Sequence, residues 1–411
     1  MPIRILRDKT TVLGVTGSIA AYKAVEIASR LVQAGAQVDV VMTEAATRLV
    51  SPLTFQAIAH RPVTTNLFDP RGELGIDHVA LAKRADLLVI APLTANTLAK
   101  LAQGLADDVV STTFLAAHSP IVVAPAMEPH MWLHPATERN LDTLRSWGVT
   151  VVEPETGYLA SGAEGVGRLA EPATIFETIR QIMGRSGPLA GRHVIITAGP
   201  TREAIDPVRY ISNHSSGRMG YAVAEAARDL GARVTLVSGP TALPAPIGVG
   251  VIAVTSTREM RDAVFDVLAD ADAIVSAAAV ADYQPATSSM KKIKKDEVGL
   301  SLELVRNPDI LMDVKEWKES QGHEHPIVIG FAAETDNLVD NARSKLVQKG
   351  MELIAANPVP ATFGADTVQA TLLQPDQPPE ELPALTKMEL ADMIADWLAD
   401  RLKSREAGVT R

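Results

Sequence analysis

The sequence contains no cysteine, and only 4% of its residues are aromatic. The absence of cysteine excludes disulfides, thiolate nucleophiles and cysteine-ligated metal sites. Because hydrophobic residues still make up 46% of the chain, its cores must be built mainly from Ala, Val, Leu and Ile. Such cores are typical of buried parallel strands covered by Ala-rich helices.

The chain also lacks a basic surplus, since 49 acidic residues against 39 Lys and Arg give a net charge of −10. This balance argues against a general nucleic-acid-binding protein, which needs a basic face. No apolar run is long enough to span a bilayer, and Lys23 and Glu26 follow the first run too closely for a signal peptide. We therefore expect a cytoplasmic protein with neither nucleic-acid nor membrane partners.

A length of 411 residues exceeds what one hydrophobic core usually organises, so two domains are expected. The order strand, glycine turn, helix and strand occurs in each half, as QAGAQVDVVMT (33–43) and DLGARVTLVSG (229–239) illustrate. We predict an α/β fold of two fused doubly wound, Rossmann-like domains, each with a parallel sheet. The Gly-rich segment 184–192 sets the predicted boundary, which gives domains 1–187 and 188–411.

Small polar residues follow several predicted strands of the first half. The GSI turn (17–19) joins a strand to a helix N-terminus, where backbone N–H groups attract a phosphate, although a plain tight turn has the same pattern. Thr43 ends the next strand, and segments 91–100 and 125–137 place further polar side chains at strand ends, where helix capping is the alternative. Because the ends of parallel strands meet at one edge of the sheet, a shared ligand is favoured over coincidental caps.

Segments of the first half resemble the homo-oligomeric flavin-containing cysteine decarboxylases, namely GSIAAYK (17–23), APLTANT (91–97), PAMEPHMW (125–132) and GYLASGAEGVGRL (157–169). The resemblance implies that FMN binds between subunits and oxidises the thiol of phosphopantothenoylcysteine, after which CO₂ is lost and the hydride is returned. His78, which by itself is either structural or able to exchange a proton, matches the catalytic histidine of that family. The residues implied to surround the cofactor are Gly17, Ser18, Ile19, Thr43, Thr94, Ala95, Asn96 and Thr97.

Two positions depart from the family pattern. Glu128 stands where the family usually has Asn, and Ser161 stands where its clamp carries the Cys that protonates the last intermediate. A hydroxyl is a far weaker acid than a thiol, so the proton would come from water or from Glu128 or Glu164 with a pKa raised by burial. In the alternative, Ser161 only shapes the clamp. We keep Glu128 and Ser161 as catalytic candidates, beside the alternative of a ligase whose first domain binds flavin but is catalytically altered or regulatory.

The second half concentrates small and basic residues. Within 197–225, the SSG turn (215–217) opens a predicted helix, which suits a polyphosphate, although a structural turn has the same spacing. MKKIKK (290–295) is a lysine run, which is usually a solvated face. Lys345 and Lys349 share one helix face, where like charges repel unless an anion is present. Together these features predict a triphosphate site.

Five segments of this half closely resemble phosphopantothenate–cysteine ligase: RYISNHSSGRMG (209–220), AAVADY (278–283), KIKK (292–295), NPDIL (307–311) and GFAAET (330–335). In bacteria that ligase is commonly fused behind the flavin decarboxylase. The resemblance implies CTP and Mg²⁺: the carboxylate of phosphopantothenate is cytidylylated, and the amine of cysteine then displaces CMP. Asn213 and Lys292 match catalytic residues. The positions matching other substrate and nucleotide contacts are Arg209, Ser215, Ala278, Ala279, Asp282, Pro308, Asp309, Ile310, Leu311, Phe331, Lys345 and Lys349.

We expect a homo-oligomer, with the flavin domain at subunit interfaces and the ligase domain dimerising; the metal ligands are unknown. A nicotinamide-dependent oxidoreductase is the first rival. It is disfavoured because the N-terminal glycine pattern is not G-x-G-x-x-G and no clear ribose-binding acid follows. A non-catalytic flavoprotein subunit is the second rival, and the intact ligase motifs argue against it for the chain as a whole.

Overall fold

The structure is a computed structural model. It describes residues 3–67, 77–294, 300–322, 325–358 and 367–409. The chain forms two compact units, Met1–Met183 and Gly184–Arg411. The sequence predicted this division after Gly187 instead of after Met183.

The first unit contains one large sheet, one hairpin and nine helices among its described residues. Its strands are β1 (Thr10–Val15), β2 (Gln37–Met42), β3 (Val63–Thr64), β4 (Leu87–Leu93), β5 (Ile121–Pro125), β6 (Thr150–Val151), β7 (Glu155–Tyr158) and β8 (Glu164–Arg168). Its helices are α1 (Ala21–Gln33), α2 (Glu44–Thr47), α3 (Pro52–Ala59), α4 (Asp77–Arg84), α5 (Ala95–Gln103), α6 (Val109–Ala116), α7 (Pro129–Trp132), α8 (Pro135–Ser146) and α9 (Pro172–Gly184). The sheet is parallel throughout, in the order β3-β2-β1-β4-β5-β6, and β7 pairs with β8 as a separate antiparallel hairpin.

The local sequence explains the first βαβ element. Every residue of β1 after Thr10 is buried, as expected for a central parallel strand covered on both faces. In α1 the buried residues recur at helical spacing, which turns one apolar face toward the sheet. Gly35 follows α1 with a φ of 91°, a left-handed conformation that ends helices and that glycine adopts without strain.

The second unit contains a larger sheet and three short two-stranded pieces among its described residues. Its strands are β9 (His193–Ala198), β10 (Arg202–Ala204), β11 (Tyr210–Ser212), β12 (Arg233–Ser238), β13 (Gly250–Ala253), β14 (Ala273–Ser276), β15 (Tyr283–Pro285), β16 (Leu304–Arg306), β17 (Ile327–Glu334), β18 (Leu353–Pro358), β19 (Thr367–Val368), β20 (Thr371–Leu373), β21 (Glu380–Glu381) and β22 (Leu385–Thr386). Its helices are α10 (Arg218–Asp229), α11 (Thr257–Leu268), α12 (Ile310–Gln321), α13 (Leu338–Gln348) and α14 (Lys387–Val409). The sheet order is β13-β12-β9-β14-β17-β18-β20-β21, parallel up to β18 and antiparallel beyond it.

Alternate residues of the second sheet enter two separate cores. Val194 and Ile196 of β9 pack with α10 and α14 on one face, whereas Ile195 packs with α11, α12 and α13 on the other. This alternation follows from the two-residue period of a strand, and helices on both faces make the unit doubly wound. The predicted fold class is confirmed in both units; the antiparallel edge of β20 and β21 was not predicted.

In both units the strand order reverses direction at one point, between β1 and β4 in the first and between β9 and β14 in the second. In open α/β sheets, ligands bind in the crevice outside the carboxyl ends of the strands at such a switch point. The fold therefore indicates one candidate site in each unit. None of the described helices combines the length and apolarity needed to cross a membrane.

Candidate functional sites

The turn at residues 17–19 opens α1, a helix of 13 residues whose N-cap, Ala20, provides no side-chain hydrogen bond. Two N–H groups of its first turn already donate within the turn, that of Ala21 to the carbonyl of Ser18 at 2.9 Å and that of Lys23 to the carbonyl of Ala20 at 3.0 Å. The feature that favours an anion here is therefore the positive end of the helix dipole. Gly17 is also required by packing, since a Cβ there would lie 2.4 Å from the Cβ of Ala45. The turn therefore fits a phosphate, but Gly17 would be needed even without one.

Thr16 joins the ends of β1 and β4, and sequence reasoning missed it. Its side chain is fully buried. Its Oγ1 donates to the carbonyl of Pro92 at 2.7 Å and accepts from the N–H of Thr94 at 3.0 Å. This bridge fixes the two strand ends that flank the first switch point.

Two of the three predicted threonines of this unit, Thr43 and Thr94, serve as helix caps. Thr43 Oγ1 accepts from the N–H of Ala46 at 3.3 Å, and Thr94 Oγ1 accepts from the N–H of Thr97, also at 3.3 Å. Thr94 Oγ1 further donates to Thr97 Oγ1 at 3.1 Å. Asn96 is exposed in the first turn of α5. The capping alternative is thus realised, while the hydroxyl proton of Thr43 has no acceptor among the described residues.

His78 lies in the first turn of α4. Its Nδ1 is buried and has no hydrogen-bond partner among the described residues. An unpaired polar atom in a folded interior costs free energy and calls for an explanation such as an absent partner or ligand. The segment just before α4, residues 68–76, lies outside the described residues. The unsatisfied Nδ1 is consistent with a residue that exchanges protons with a bound molecule.

The hairpin of β7 and β8 packs on the loop that follows β5. Met127 donates its N–H to the carbonyl of Gly167 at 3.0 Å, and a Cβ at Gly167 would lie 2.2 Å from the carbonyl oxygen of Met127. Ser161 is exposed in the turn of the hairpin, where its Oγ accepts from the N–H of Ala163 at 3.5 Å. The structure therefore brings the hairpin to the segment that carries Glu128.

Glu128 is held in its charged form by His130. One carboxylate oxygen accepts the N–H of His130 at 2.8 Å, and the other lies 3.0 Å from its Nδ1. The hydrogen bond from the His130 ring keeps the pKa of Glu128 below its usual range. The condition under which Glu128 would donate the last proton, a pKa raised by burial, is therefore not met in this structure.

The second switch point opens into a cavity of about 1090 Å³. All site residues predicted for this half line it, except Arg209 and Lys292. The predicted lining residues are Asn213, Ser215, Ala278, Ala279, Asp282, Pro308, Asp309, Ile310, Leu311, Phe331, Lys345 and Lys349. Residues from α10, β14, α12, β17 and α13 thus meet at the carboxyl edge of the sheet, as the fold requires.

Hydrogen bonds fasten the segment after β14 to the end of β9. The N–H of Ala279 donates to the carbonyl of Gly199 at 2.9 Å, and the N–H of Ala278 donates to Thr197 Oγ1 at 3.2 Å. The N–H of Ala281 donates to the buried Thr201 Oγ1 at 2.9 Å. One wall of the cavity is therefore fixed before any ligand binds.

Two asparagines hold the same segment from its other side. Asn213 Nδ2 donates to the carbonyl of Val280 at 2.8 Å. Asn307 Nδ2 donates to the carbonyl of Ala281 at 2.8 Å and to Thr257 Oγ1 at 3.2 Å. Asn307 lines the cavity but was not predicted. The motif NPDIL (307–311) pointed to this region, but the partners of Asn307 lie 26 and 50 residues away in the sequence.

The N-terminus of α10 lies at the cavity. Its N-cap, Gly217, has a φ of 75° and provides no side-chain cap, while Ser215 Oγ accepts the N–H of Gly217 at 3.2 Å. A Cβ at Gly217 would lie 2.7 Å from Thr241 Cγ2, so glycine is required by both conformation and space. The uncapped first turn presents N–H groups and a positive dipole end, which suit a phosphate.

The two predicted lysines of α13 are each paired with a carboxylate. Lys345 Nζ lies 2.6 Å from Glu334 Oε1, and Lys349 Nζ lies 2.8 Å from Asp309 Oδ2. The inference that their repulsion requires an anion is therefore wrong, because these carboxylates already offset both charges. Arg306, exposed on β16, also lines the cavity and was not predicted.

Arg209 and Lys292 are not part of the cavity lining. The guanidinium of Arg209 binds Asp206, and its Nη2 also donates to the carbonyl of Ile293 at 2.9 Å. Lys292 is exposed on the adjoining loop. Arg209 thus binds the residue that follows Lys292, although neither Arg209 nor Lys292 lies among the other predicted contacts.

No group of three or more His, Asp or Glu side chains in the described ranges is arranged to hold a metal ion. Asp282 is an exposed carboxylate of the cavity lining. Asp309 caps α12 through the N–H of Met312 at 3.3 Å, in addition to pairing with Lys349. These carboxylates form no dedicated metal cage.

Fold and sites together define an α/β enzyme of two Rossmann-like units, each with an uncapped helix N-terminus at its switch point. Comparison with known families agrees with this class. The family model described as Flavoprotein matches residues 4–184, and the model for the DNA/pantothenate metabolism flavoprotein C-terminal domain matches residues 189–402.

Curated relatives extend over nearly the whole chain. The coenzyme A biosynthesis bifunctional protein CoaBC of Bacillus subtilis is 47% identical over 401 residues, which cover 96% of this chain and 98% of the relative. Its counterpart from Escherichia coli is 42% identical over 402 residues, with the same coverage. The chain therefore belongs to the CoaBC family of bifunctional coenzyme A biosynthesis proteins. It is a bifunctional decarboxylase and ligase with a flavoprotein half, as the sequence predicted.

Solved structures match the two halves separately. The C-terminal domain of a CoaBC protein is 42% identical, with a TM-score of 0.46, and covers 53% of this chain and 100% of its own. A cysteine-to-serine variant of a PPC decarboxylase, complexed with pantothenoylaminoethenethiol, is 35% identical with a TM-score of 0.39. That match covers 42% of this chain and 97% of the decarboxylase.

Proposed function

We propose that the second unit joins cysteine to phosphopantothenate at the expense of CTP, through an acyl-cytidylate. The observation that carries this proposal is the cavity at the second switch point, which gathers the residues matching the ligase family. A carboxylate oxygen of phosphopantothenate attacks the α-phosphorus of CTP, and pyrophosphate leaves. The amine of cysteine then attacks the acyl carbon, the acyl–oxygen bond breaks, and CMP leaves with that oxygen.

The chain's own groups have distinct tasks in this reaction. The uncapped N-terminus of α10 and the charge of Lys345 and Lys349 bind phosphate oxygens, and the lysines exchange Glu334 and Asp309 for the nucleotide. Asn213, already fixed to Val280, presents its amide oxygen to the substrate. Because this wall of the cavity is hydrogen-bonded before any ligand binds, the protein needs little reorganisation as charge develops in the transition state.

Mg²⁺ fits this arrangement as a companion of the nucleotide. It usually binds through one or two carboxylates together with substrate phosphates, and Asp282 offers an exposed carboxylate at the cavity. Asp282 would hold the ion there, and the ion would neutralise part of the triphosphate charge.

For the first unit we propose FMN-dependent decarboxylation of phosphopantothenoylcysteine to phosphopantetheine. The uncapped α1 N-terminus and the unsatisfied Nδ1 of His78 support an FMN site. When bound, FMN supplies the oxidation of the thiol and the return of the hydride. The α1 turn holds the phosphate, His78 exchanges a proton, and the hairpin carrying Ser161 covers the substrate. Water is the donor of the last proton in this proposal, because Glu164 is exposed on β8 and Glu128 is hydrogen-bonded to His130.

Incubation of the purified protein with phosphopantothenate, cysteine and CTP, followed by mass spectrometry, tests both halves. The proposal predicts CTP-dependent phosphopantothenoylcysteine and then phosphopantetheine. Accumulation of phosphopantothenoylcysteine alone would support the alternative of a ligase with an altered or regulatory flavin domain. Amide formation without CTP would overturn the nucleotide assignment.

The assembly remains a prediction. We propose a homo-oligomer, with FMN at interfaces between first units and with second units that dimerise, acting in the cytoplasm. Light scattering of the intact protein gives the oligomer number, and a monomer that retains FMN would contradict the interface assignment.

A further inference from the structure

The loop that carries Lys292 is fastened at a buried carboxylate. The side chain of Asp206, in the turn between β10 and β11, is fully buried. Its Oδ1 accepts the N–H of Val208 at 2.8 Å and that of Arg209 at 2.9 Å. Its Oδ2 accepts Arg209 Nε at 2.9 Å and the N–H of Ile293 at 3.1 Å. One carboxylate therefore joins its own turn to a loop more than eighty residues away.

Further bonds complete the attachment. Arg209 Nη2 donates to the carbonyl of Ile293 at 2.9 Å, so both backbone polar groups of Ile293 are engaged. At the other end of the loop, the N–H of Ser289 donates to the carbonyl of Ile205 at 3.0 Å. Ser289 Oγ donates to the carbonyl of Lys291 at 2.6 Å. Residues 289–293 are thus held against the turn 205–209.

The charges of this cluster are matched. The hydrogen bond from the Arg209 guanidinium, together with the backbone donors, holds the pKa of Asp206 well below its usual range. The carboxylate is therefore ionised at neutral pH and offsets the charge of Arg209. Removing one partner of such a buried pair leaves the other uncompensated, so the loop and the turn depend on the same side chain.

We propose that Asp206 is a positioning residue for the ligation reaction, because it fixes both Arg209 and the backbone that carries Lys292. These are the two predicted contacts that do not line the cavity. The carboxylate of Asp206 binds Arg209 directly and binds the N–H of Ile293, the residue that follows Lys292. A lysine on a fastened loop loses less conformational entropy when it binds a phosphate. Its charge therefore stabilises the transition state more than the charge of a lysine on a loose loop would. This inference rests on the proposed function of the second unit.

Limited trypsin digestion of the full chain tests the attachment without any activity. In Asp206→Asn, we expect cleavage after Lys291, Lys292 and Lys294 to be about tenfold faster than in wild type, since charged hydrogen bonds that close the loop are lost. Asp266→Asn makes the same chemical change at an exposed position on α11 and should leave cleavage unchanged. Equal rates in Asp206→Asn and wild type would overturn the attachment.

A double-mutant cycle tests whether Asp206 acts through Lys292. Asp206→Asn should lower kcat for CTP-dependent amide formation by about tenfold, with KM for cysteine unchanged, and should add little to Lys292→Gln. Full additivity, or an unchanged kcat in Asp206→Asn, would overturn the positioning role. Wild-type protein that forms no CTP-dependent amide would instead sink the proposed function, while the digestion still decides whether the loop is fastened.

If Asp206→Asn does not fold, amide hydrogen exchange of wild type decides. The N–H groups of Ser289 and Ile293, which donate to Ile205 and Asp206, should exchange at least about tenfold more slowly than that of Lys292. Equal exchange at all three amides would contradict the fastened loop.

Discussion

In the first unit, Thr43 and Thr94 cap the helices that follow their own strands, with partners three residues away. In the second unit, Thr201 and Asn307 bind the backbone of Ala281, which lies 80 and 26 residues from them. A local cap satisfies a helix without any ligand, whereas the long-range bonds of the second unit fix a wall of the cavity. The long-range bridge of Thr16 in the first unit joins two strand ends. Polar strand ends are thus weaker evidence for a ligand than the spatial convergence of distant segments.

The two proposed ligand sites have different structural support. The proposed nucleotide site of the second unit is supported by a lined cavity as well as by family membership. The flavin site of the first unit depends more on family membership, with the uncapped α1 and the unsatisfied His78 as its structural support. The most informative variants are therefore those that change ligand binding without changing local packing.

The largest expected effect is that of Lys292→Gln. Loss of the charge that stabilises the transferring phosphate should slow CTP-dependent amide formation by about 10²-fold or more. Lys294→Gln, on the same exposed loop, is the matched control and should stay close to wild type. Rate measurements on both variants decide the matter. Unchanged ligation in Lys292→Gln would remove Lys292 from the site.

Ala20→Asp probes the flavin site more cleanly than a change at Gly17, where any side chain collides with Ala45. An aspartate at position 20 puts a negative charge at the N-terminus of α1, and this charge repels a phosphate bound there. We expect FMN occupancy, measured by absorbance of purified protein, to fall about tenfold. Ala20→Ser, a small polar change without charge, should retain FMN. Equal loss of FMN in both variants would argue against a phosphate at this turn.

A smaller effect is expected for Asn307→Ala. The change leaves the carbonyl of Ala281 without its partner, which should reduce the free energy of unfolding by about 1–3 kcal/mol. The wall of the cavity loosens with it, so KM for CTP should rise. Gln321→Ala removes an exposed amide on α12 and serves as the control. Denaturant unfolding and steady-state kinetics measure the two effects, and wild-type behaviour in both would contradict the role given to Asn307.

The smallest effect concerns His193, at the opposite end of β9 from the cavity. Burial, aided by the charge of Arg233, lowers the pKa of His193 below its ordinary 6.5, while Thr235 Oγ1 lies 2.9 Å from its Nε2. Below pH 6.5 the unfolded chain binds a proton that the folded chain does not, so stability falls as the pH falls. His193→Gln should show a smaller decrease in Tm between neutral pH and about pH 5.5. An equal decrease in both proteins would show that His193 does not contribute.

The sequence predicted both parallel sheets, and twelve of the fourteen residues that the resemblance supplied for the second unit line the cavity. The residues that the sequence did not predict share one property. Thr16, Asp206 and Asn307 act through partners that lie 76, 87 and 26 residues away, and no local pattern reveals such pairs. The expected repulsion between Lys345 and Lys349 of α13 was wrong for another reason, because the carboxylate of Glu334 from the neighbouring strand pairs with Lys345.

Transfer of oxygen-18 tests the central assignment most directly. Phosphopantothenate labelled in its carboxylate is incubated with cysteine and CTP, and the products are analysed by mass spectrometry. An acyl-cytidylate requires one labelled oxygen to leave with the nucleotide, so the account predicts labelled CMP and unlabelled pyrophosphate. Labelled inorganic phosphate, formed together with CDP, would show activation as an acyl phosphate and contradict the account.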